Sequence, residues 1–386
     1  MKFSAHPLWQ VGFRPFFCLA CLSGLSLPVI WTLLFAGLIT APASSFSSTQ
    51  WHAHEMFFGF GWAVLGGFLL TSTKNWVDKR GFHGNALIFL VAAWFIERFG
   101  MWFEGALPPL IFRISNNLFL GSIVAMLVWT LLRYRKDDSY RDNYFFFIIL
   151  PLFLLAKNLM LSPEYFQIGS SMTLGLFRMA FLVMLERTLN TFMKGAFQVT
   201  ILTNPRLNKA IKLLGLLMVF ESLMPHQAAS VVALLLASLL IGRFFFWKPN
   251  LALQRLDVGI MYLGYLAIVA QLLIGIVSPL IHPAWVGSVS VHVFTFGAMG
   301  LIIPAMLIRI SNGHTGRKVA FDTYDKTVLR IMIFGFVVRI IAPQFFPAGY
   351  LHCVALAAAC WFVCFAMLAW RYIPYLVKAR VDGKEH

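Results

Sequence analysis

Apolar residues in this chain do not recur at the 3.6-residue spacing of a half-buried helix or the two-residue spacing of a half-buried strand. They come in unbroken runs separated by short polar breaks. Twelve runs can be marked, 16–40, 55–73, 84–102, 114–132, 144–162, 168–189, 210–224, 228–247, 257–280, 287–310, 327–347 and 350–375, each near the ~20 residues that a spanning helix requires. Barrel strands alternate apolar and polar positions and these runs do not, so the spanning element is the α-helix. The expected fold class is therefore all-α, a polytopic membrane helical bundle of about twelve transmembrane helices that occupies residues 1–386 as a single integral membrane domain. The longest connections, around 190–209 and 311–326, leave no room for a soluble domain. Run 210–224 is the shortest. The first run ends in Ala41-Pro42-Ala43, which resembles a secretory cleavage site. Its apolar core of about 25 residues exceeds a signal peptide's 7–15, so it is read as a permanent helix.

Charge converts these runs into a topology. The chain is 60% hydrophobic, 12% charged and carries a formal +16, against about 25% charged residues in an average soluble protein. The cations lie in clusters between runs, which excludes a nucleic-acid surface and leaves the lipid bilayer as the partner. Lys74, Lys79 and Arg80 fall in the second loop and Arg133, Arg135, Lys136 and Arg141 in the fourth. Arg187, Lys194, Arg206, Lys209 and Lys212 fall in the sixth; Arg243, Lys248 and Arg255 in the eighth; Arg309, Arg317, Lys318, Lys326 and Arg330 in the tenth. Together with Lys2 and Arg14 at the start and Arg371, Lys378, Arg380 and Lys384 at the end, 26 of the 31 cations share one side. The positive-inside rule then makes both termini cytoplasmic.

The same topology sorts ten histidines. His52, His54, His226, His282, His292 and His352 lie at or near the outer face, and His6, His83, His314 and His386 on the cytoplasmic side. An imidazole within or at the edge of a span is a functional candidate, against the plainer reading of interfacial solvation. Trp51-His52-Ala53-His54-Glu55 opens the second helix, and two histidines at i, i+2 reach one site only if the helix begins near residue 53 or 54. His292 falls some six residues into the tenth run. His54 and His292 are each followed by Gly five residues later, Gly59 and Gly297, in helices of the same direction, and two imidazoles at similar depth on separate helices are how a b-type haem is held. The small residues Gly59, Ala63, Gly66, Gly67, Gly297 and Gly300 would admit a flat macrocycle or simply let helices pack closely. Glu97, Arg98, Arg178, Glu221 and Arg339 fall inside runs. Three Arg against two Glu leave a cation over, so Arg98, Arg178 and Arg339 are candidate partners for haem propionates, with salt bridges or a proton path as the alternatives. Cys18 and Cys21, and Cys360 and Cys364, read first as small apolar residues.

Three segments resemble the NnrS family of haem- and copper-containing membrane proteins of the bacterial nitric oxide response. They are Phe13-Arg14-Pro15-Phe16-Phe17, then Trp51-His52-Ala53-His54-Glu55-Met56 with Phe58-Gly59-Phe60, then Gly297-Ala298-Met299-Gly300 leading to Arg309-Ile310-Ser311 and Gly313-His314-Thr315-Gly316-Arg317. The resemblance implies a multi-pass protein of the bacterial inner (plasma) membrane, with haem b and copper as cofactors and nitric oxide or a related small molecule as the ligand, in nitric oxide metabolism or nitrosative stress resistance. His52, His54, His292 and His314 match histidines of the family as metal-ligand candidates, and His54 and His292, on helices two and ten, are the expected haem ligands. The chain departs from the pattern in the ninth helix, where Tyr262 stands before Leu263-Gly264-Tyr265 in place of a His; this weighs first against copper. Neither the electron donor nor a catalytic residue is identified. A terminal oxidase or nitric oxide reductase of the haem-copper class is excluded, because the chain lacks a His-His pair and a His-x-His in the tenth helix. The competing reading is a twelve-helix secondary transporter, which paired half-chains would favour; the repeat seen here relates helices two and ten.

Overall fold

A computed structural model describes residues 3–41, 44–136 and 141–384, and the backbone alone at 141–142. Lys2, the Pro42-Ala43 part of the cleavage-like segment and His386 lie outside the described residues. Twelve principal helices follow the twelve apolar runs. They are α1 (Phe13–Phe35), α2 (Ser48–Val77), α3 (Asn85–Trp102), α4 (Pro109–Arg133), α5 (Asn143–Leu161), α6 (Phe166–Phe197), α7 (Pro205–Leu217), α8 (His226–Phe246), α9 (Leu256–Ile281), α10 (Val289–Gly313), α11 (Thr323–Phe345) and α12 (Pro347–Leu376). All except α7 are long and apolar enough to cross a membrane. The protein is an all-helical polytopic membrane protein; among the described residues there is no strand.

Local sequence explains the helix starts. Ser47 and Gln50 form a reciprocal capping box at the head of α2, satisfying two donors that the first turn leaves open. Asn204 accepts from the N–H groups of Arg206 and Leu207 ahead of Pro205, and Asp322 accepts from Asp325 N–H at the head of α11. Side chains such as Phe99, Ile114, Leu132, Phe245, Leu280 and Trp370 are exposed. Large apolar groups facing outward suit lipid, and association between such helices then rests on close packing more than on hydrophobic burial.

The chain divides into two compact units, one of Met1–Gly169, Leu307–Ala320 and Phe365–His386, the other of Ser170–Met306 and Phe321–Cys364. In the first, α1 packs on α2 and α4 packs on α3 and α5. Its two chain ends meet: Arg14 is fully buried, and its Nη1 donates to the carbonyls of Leu376 at 2.8 Å and Lys378 at 2.6 Å. Arg14, counted from the sequence among the cytoplasmic-side cations, is thus an internal clamp. In the second unit, α9 packs on α8 and α10. The α7 segment continues as 3-10 turns over Met218–Leu223 with a kink at Phe220, so run 210–224 is realised as a short helix plus a tighter tail.

The small-residue positions are filled by neighbouring side chains. A Cβ on Gly67 would stand 2.8 Å from Phe16 Cβ, one on Gly66 2.9 Å from Ile123, and one on Gly300 3.0 Å from Trp361. These glycines let neighbouring helices pack closely.

Candidate functional site

α2 and α10 share a backbone irregularity. His54 is followed by a π-helical stretch, Glu55–Gly61, and His292 by another, Val293–Met299. Each is seven residues long. A π turn adds one residue to the i→i+4 ladder and re-aims what precedes it, which is why such turns collect at functional positions. The short sequence likeness between His54–Gly59 and His292–Gly297 therefore extends to the backbone.

In the first unit, His54 is fully buried. Its Nδ1 lies 3.1 Å from Glu55 Oε1. Where Glu55 is ionised it can only accept, which puts the proton on Nδ1 and leaves the lone pair on Nε2. That Nε2 is buried with no hydrogen bond among the described residues. Asn116 is the polar side chain that approaches His54. Behind Glu55 stands a chain of alternating charge. Glu55 Oε2 lies 3.3 Å from Arg98 Nη1, Arg98 Nη2 pairs with Glu97 Oε1, and the same oxygen lies 2.6 Å from Lys157 Nζ. Lys157 also donates to the Asn116 carbonyl. Two carboxylates balance two cations here. Isolated charges at this depth would cost several kcal/mol each, and pairing offsets that cost. Trp94 Nε1 donates to Gly59 O at 3.0 Å, and a Cβ at Gly59 would run into Arg98 Nη1. Gly59 is therefore glycine because the guanidinium lies against the π segment.

His52 sits in different surroundings. Because α2 starts at Ser48 and not at 53 or 54, the i, i+2 pair diverges, and the His52 ring stacks on Trp31 with centroids 4.2 Å apart and planes at 16°. His314, beyond the end of α10, lies 5.3 Å from the Phe13 ring. Burial, then Arg380, Lys74 and Arg14, push its pKa below the usual imidazole value; the same cations oppose a metal ion there.

In the second unit, α10 begins at Val289, so His292 stands in its first turn, nearer the end of the helix than its place in the apolar run suggested. Its Nδ1 lies 2.9 Å from the Ser288 carbonyl, and Arg339 Nη2 lies 3.2 Å from Nε2. Arg178 pairs with Gln271 Oε1 at 2.8 Å and Glu221 Oε2 at 3.4 Å. Of the three arginines proposed for haem propionates, Arg98 and Arg178 thus face protein carboxylates, and Arg339 faces an imidazole. Tyr262, standing where the family pattern has a His, donates its hydroxyl to Trp247 O at 2.7 Å.

Glu55, Lys157 and Asn116 escape a sequence reading that counts only charges in the middle of apolar runs. Lys157 was nevertheless visible as an ionisable residue five positions before the end of run 144–162. Among the described residues, no group of three or more His, Cys, Asp or Glu is gathered as a metal site. A search of curated proteins returns no match. The family profile described as "NnrS protein" matches residues 7–380, nearly the whole length, and the chain belongs to the NnrS family.

Proposed function

We propose that this chain is a nitric oxide-response protein of the bacterial inner membrane, with His54 as a ligand to haem b and nitric oxide or a related small molecule bound or turned over there. The observation that carries the reading is the fully buried His54 ring, with Nδ1 3.1 Å from Glu55 Oε1 and a buried Nε2 that has no hydrogen bond among the described residues. A metal-ligating imidazole typically has its second nitrogen fixed by a carboxylate in this way. Haem iron, when bound, supplies a coordination position for a diatomic ligand. The chain's own residues do the rest. Glu55 holds the Nδ1 proton and the ring orientation, Arg98 holds Glu55, and Glu97 and Lys157 hold Arg98. Phe57, Phe58 and Trp62 are buried around the segment and exclude water. Nitric oxide is small and weakly polar, so it reaches such a site through the bilayer.

His292 is the second candidate imidazole; ligation through its Nε2 requires Arg339 to withdraw. Copper fits the residues less well. His52 is stacked on Trp31, His314 lies among cations, and among the described residues no three-ligand group exists. No chemical step is assigned to copper.

The test is the absorption spectrum of detergent-purified protein expressed with ample haem, with and without nitric oxide. A Soret band that shifts on nitric oxide addition is expected. His54→Ala removes or shifts it, His292→Ala does so only if Arg339 yields, and His386→Ala leaves it unchanged. Absence of any Soret band sinks the reading.

A further inference from the structure

Near the end of α8, in the second unit, lies a buried arginine that the haem reading does not use. Arg243 is 2% exposed. The sequence placed it in a cytoplasmic loop, yet it is enclosed by aromatic groups. Its Cζ lies 4.5 Å from the Trp247 ring centroid and 5.3 Å from that of Tyr265, and its Nε is 3.2 Å from the Tyr265 hydroxyl. That hydroxyl donates to Leu240 O at 2.8 Å, and the Tyr262 hydroxyl donates to Trp247 O at 2.7 Å. Both phenols therefore spend their protons on backbone carbonyls and stay neutral, so neither balances the guanidinium.

Other arginines of the spans have partners: Arg98 has Glu55 and Glu97, Arg178 has Glu221, Arg14 has two backbone carbonyls, and Arg339 faces His292. Arg243 has no ion pair among the described residues, and its Nη1 and Nη2 are buried without a hydrogen bond. Ring stacking stabilises the charge in part. It leaves four N–H donors unsatisfied in a medium where each is costly. With Cζ near the Trp247 and Tyr265 rings and Nε on the Tyr265 hydroxyl, the edge that remains is the pair Nη1–Nη2. Two parallel N–H groups there match the two oxygens of a planar oxyanion, and a spherical ion uses that geometry less well.

We propose that the Nη1–Nη2 edge of Arg243 is a binding site for a small planar oxyanion, of the formate, nitrite or nitrate class. The experiment is equilibrium dialysis of the full-length protein in detergent, in a chloride-free zwitterionic buffer, against radiolabelled formate. Saturable binding of about one formate per chain is expected, displaced by nitrite or nitrate at lower concentration than by chloride. Arg243→Gln weakens it at least tenfold. Arg243→Lys, which keeps the charge and loses the planar fork, retains anion binding but loses the preference over chloride. The absence of saturable binding in the natural protein overturns the proposal without any variant. So does binding that persists in Arg243→Gln, and binding abolished by His54→Ala assigns the anion to the other site. If Arg243→Gln does not fold, as judged by circular dichroism, an unchanged preference in Arg243→Lys overturns the proposal instead. None of these readouts depends on haem.

Discussion

At the residue scale, the first question is whether the buried charges are paired for stability or merely tolerated. Lys157 and Glu97 are both fully buried, 2.6 Å apart. Removing one partner leaves an uncompensated charge, whereas removing both removes the problem. Lys157→Met is therefore expected to destabilise the protein by about 3 kcal/mol or more, and the double variant Lys157→Met with Glu97→Leu to recover most of that. Thermal denaturation of the three proteins in one detergent decides it; purely additive losses would mean that the pair is not a unit. His314 gives a pH dependence of definite sign. Its folded-state pKa is depressed, first by burial and then by Arg380, Lys74 and Arg14. The unfolded chain takes up a proton near the ordinary imidazole value of 6.5, and the folded chain takes it up only at lower pH. The stability contribution is thus intact above that value and falls as the pH drops below it, by at most about 1.4 kcal/mol per pH unit. His314→Gln should flatten the acid side of a plot of Tm against pH between 7.5 and 5.5. An identical slope in the variant would assign the acid sensitivity to another group.

At the element scale, the π segments set which substitutions the candidate site tolerates. A methyl at Gly59 meets Arg98 Nη1, so Gly59→Ala must push the guanidinium off Glu55 or distort α2. The expected cost is about 1–3 kcal/mol, together with loss of any spectral signal that depends on His54. Gly37→Ala, at a position where a Cβ meets nothing but φ is +69°, should lower stability modestly and leave that signal alone; equal spectral effects would remove the link between Gly59 and the site. Helix-level features were legible in the sequence because bilayer thickness fixes the length of an apolar run. What the runs hid is depth. Arg14 and Arg243 sit where a run meets a loop, and tertiary packing draws both inward. The divergence of His52 from His54 followed from a helix start at Ser48, five residues earlier than one shared site required. The π geometry after His54 and His292 has no sequence signal beyond the short match that flagged it.

At the scale of the whole molecule, the open question is the number of membrane crossings, and a contact between the chain ends answers it. Eleven helices meet the length and hydropathy requirement, and eleven crossings would put the termini on opposite sides. Yet Arg14, in the first turn of α1, donates to the carbonyls of Leu376 and Lys378 at the end of α12. An even number is required, and α7 as the twelfth crossing supplies it. Its 13 helical residues rise about 20 Å, and the six residues of 3-10 tail add about 12 Å, enough for a hydrocarbon core of about 30 Å. Charge agrees: Lys194 at the end of α6 and Arg206 at the start of α7 flank the connection between them, and Lys248 and Arg255 lie between α8 and α9, so both connections belong inside and the α7–α8 turn outside. Lys212 at 3.0 Å from Glu186 ties α7 to α6. A reporter that is active only outside the membrane, inserted between Met224 and Pro225, should be active, and one fused after residue 386 should be silent. A silent reporter at 224 together with an active one at the C-terminus would make α7 a surface helix and break the contact between Arg14 and Leu376.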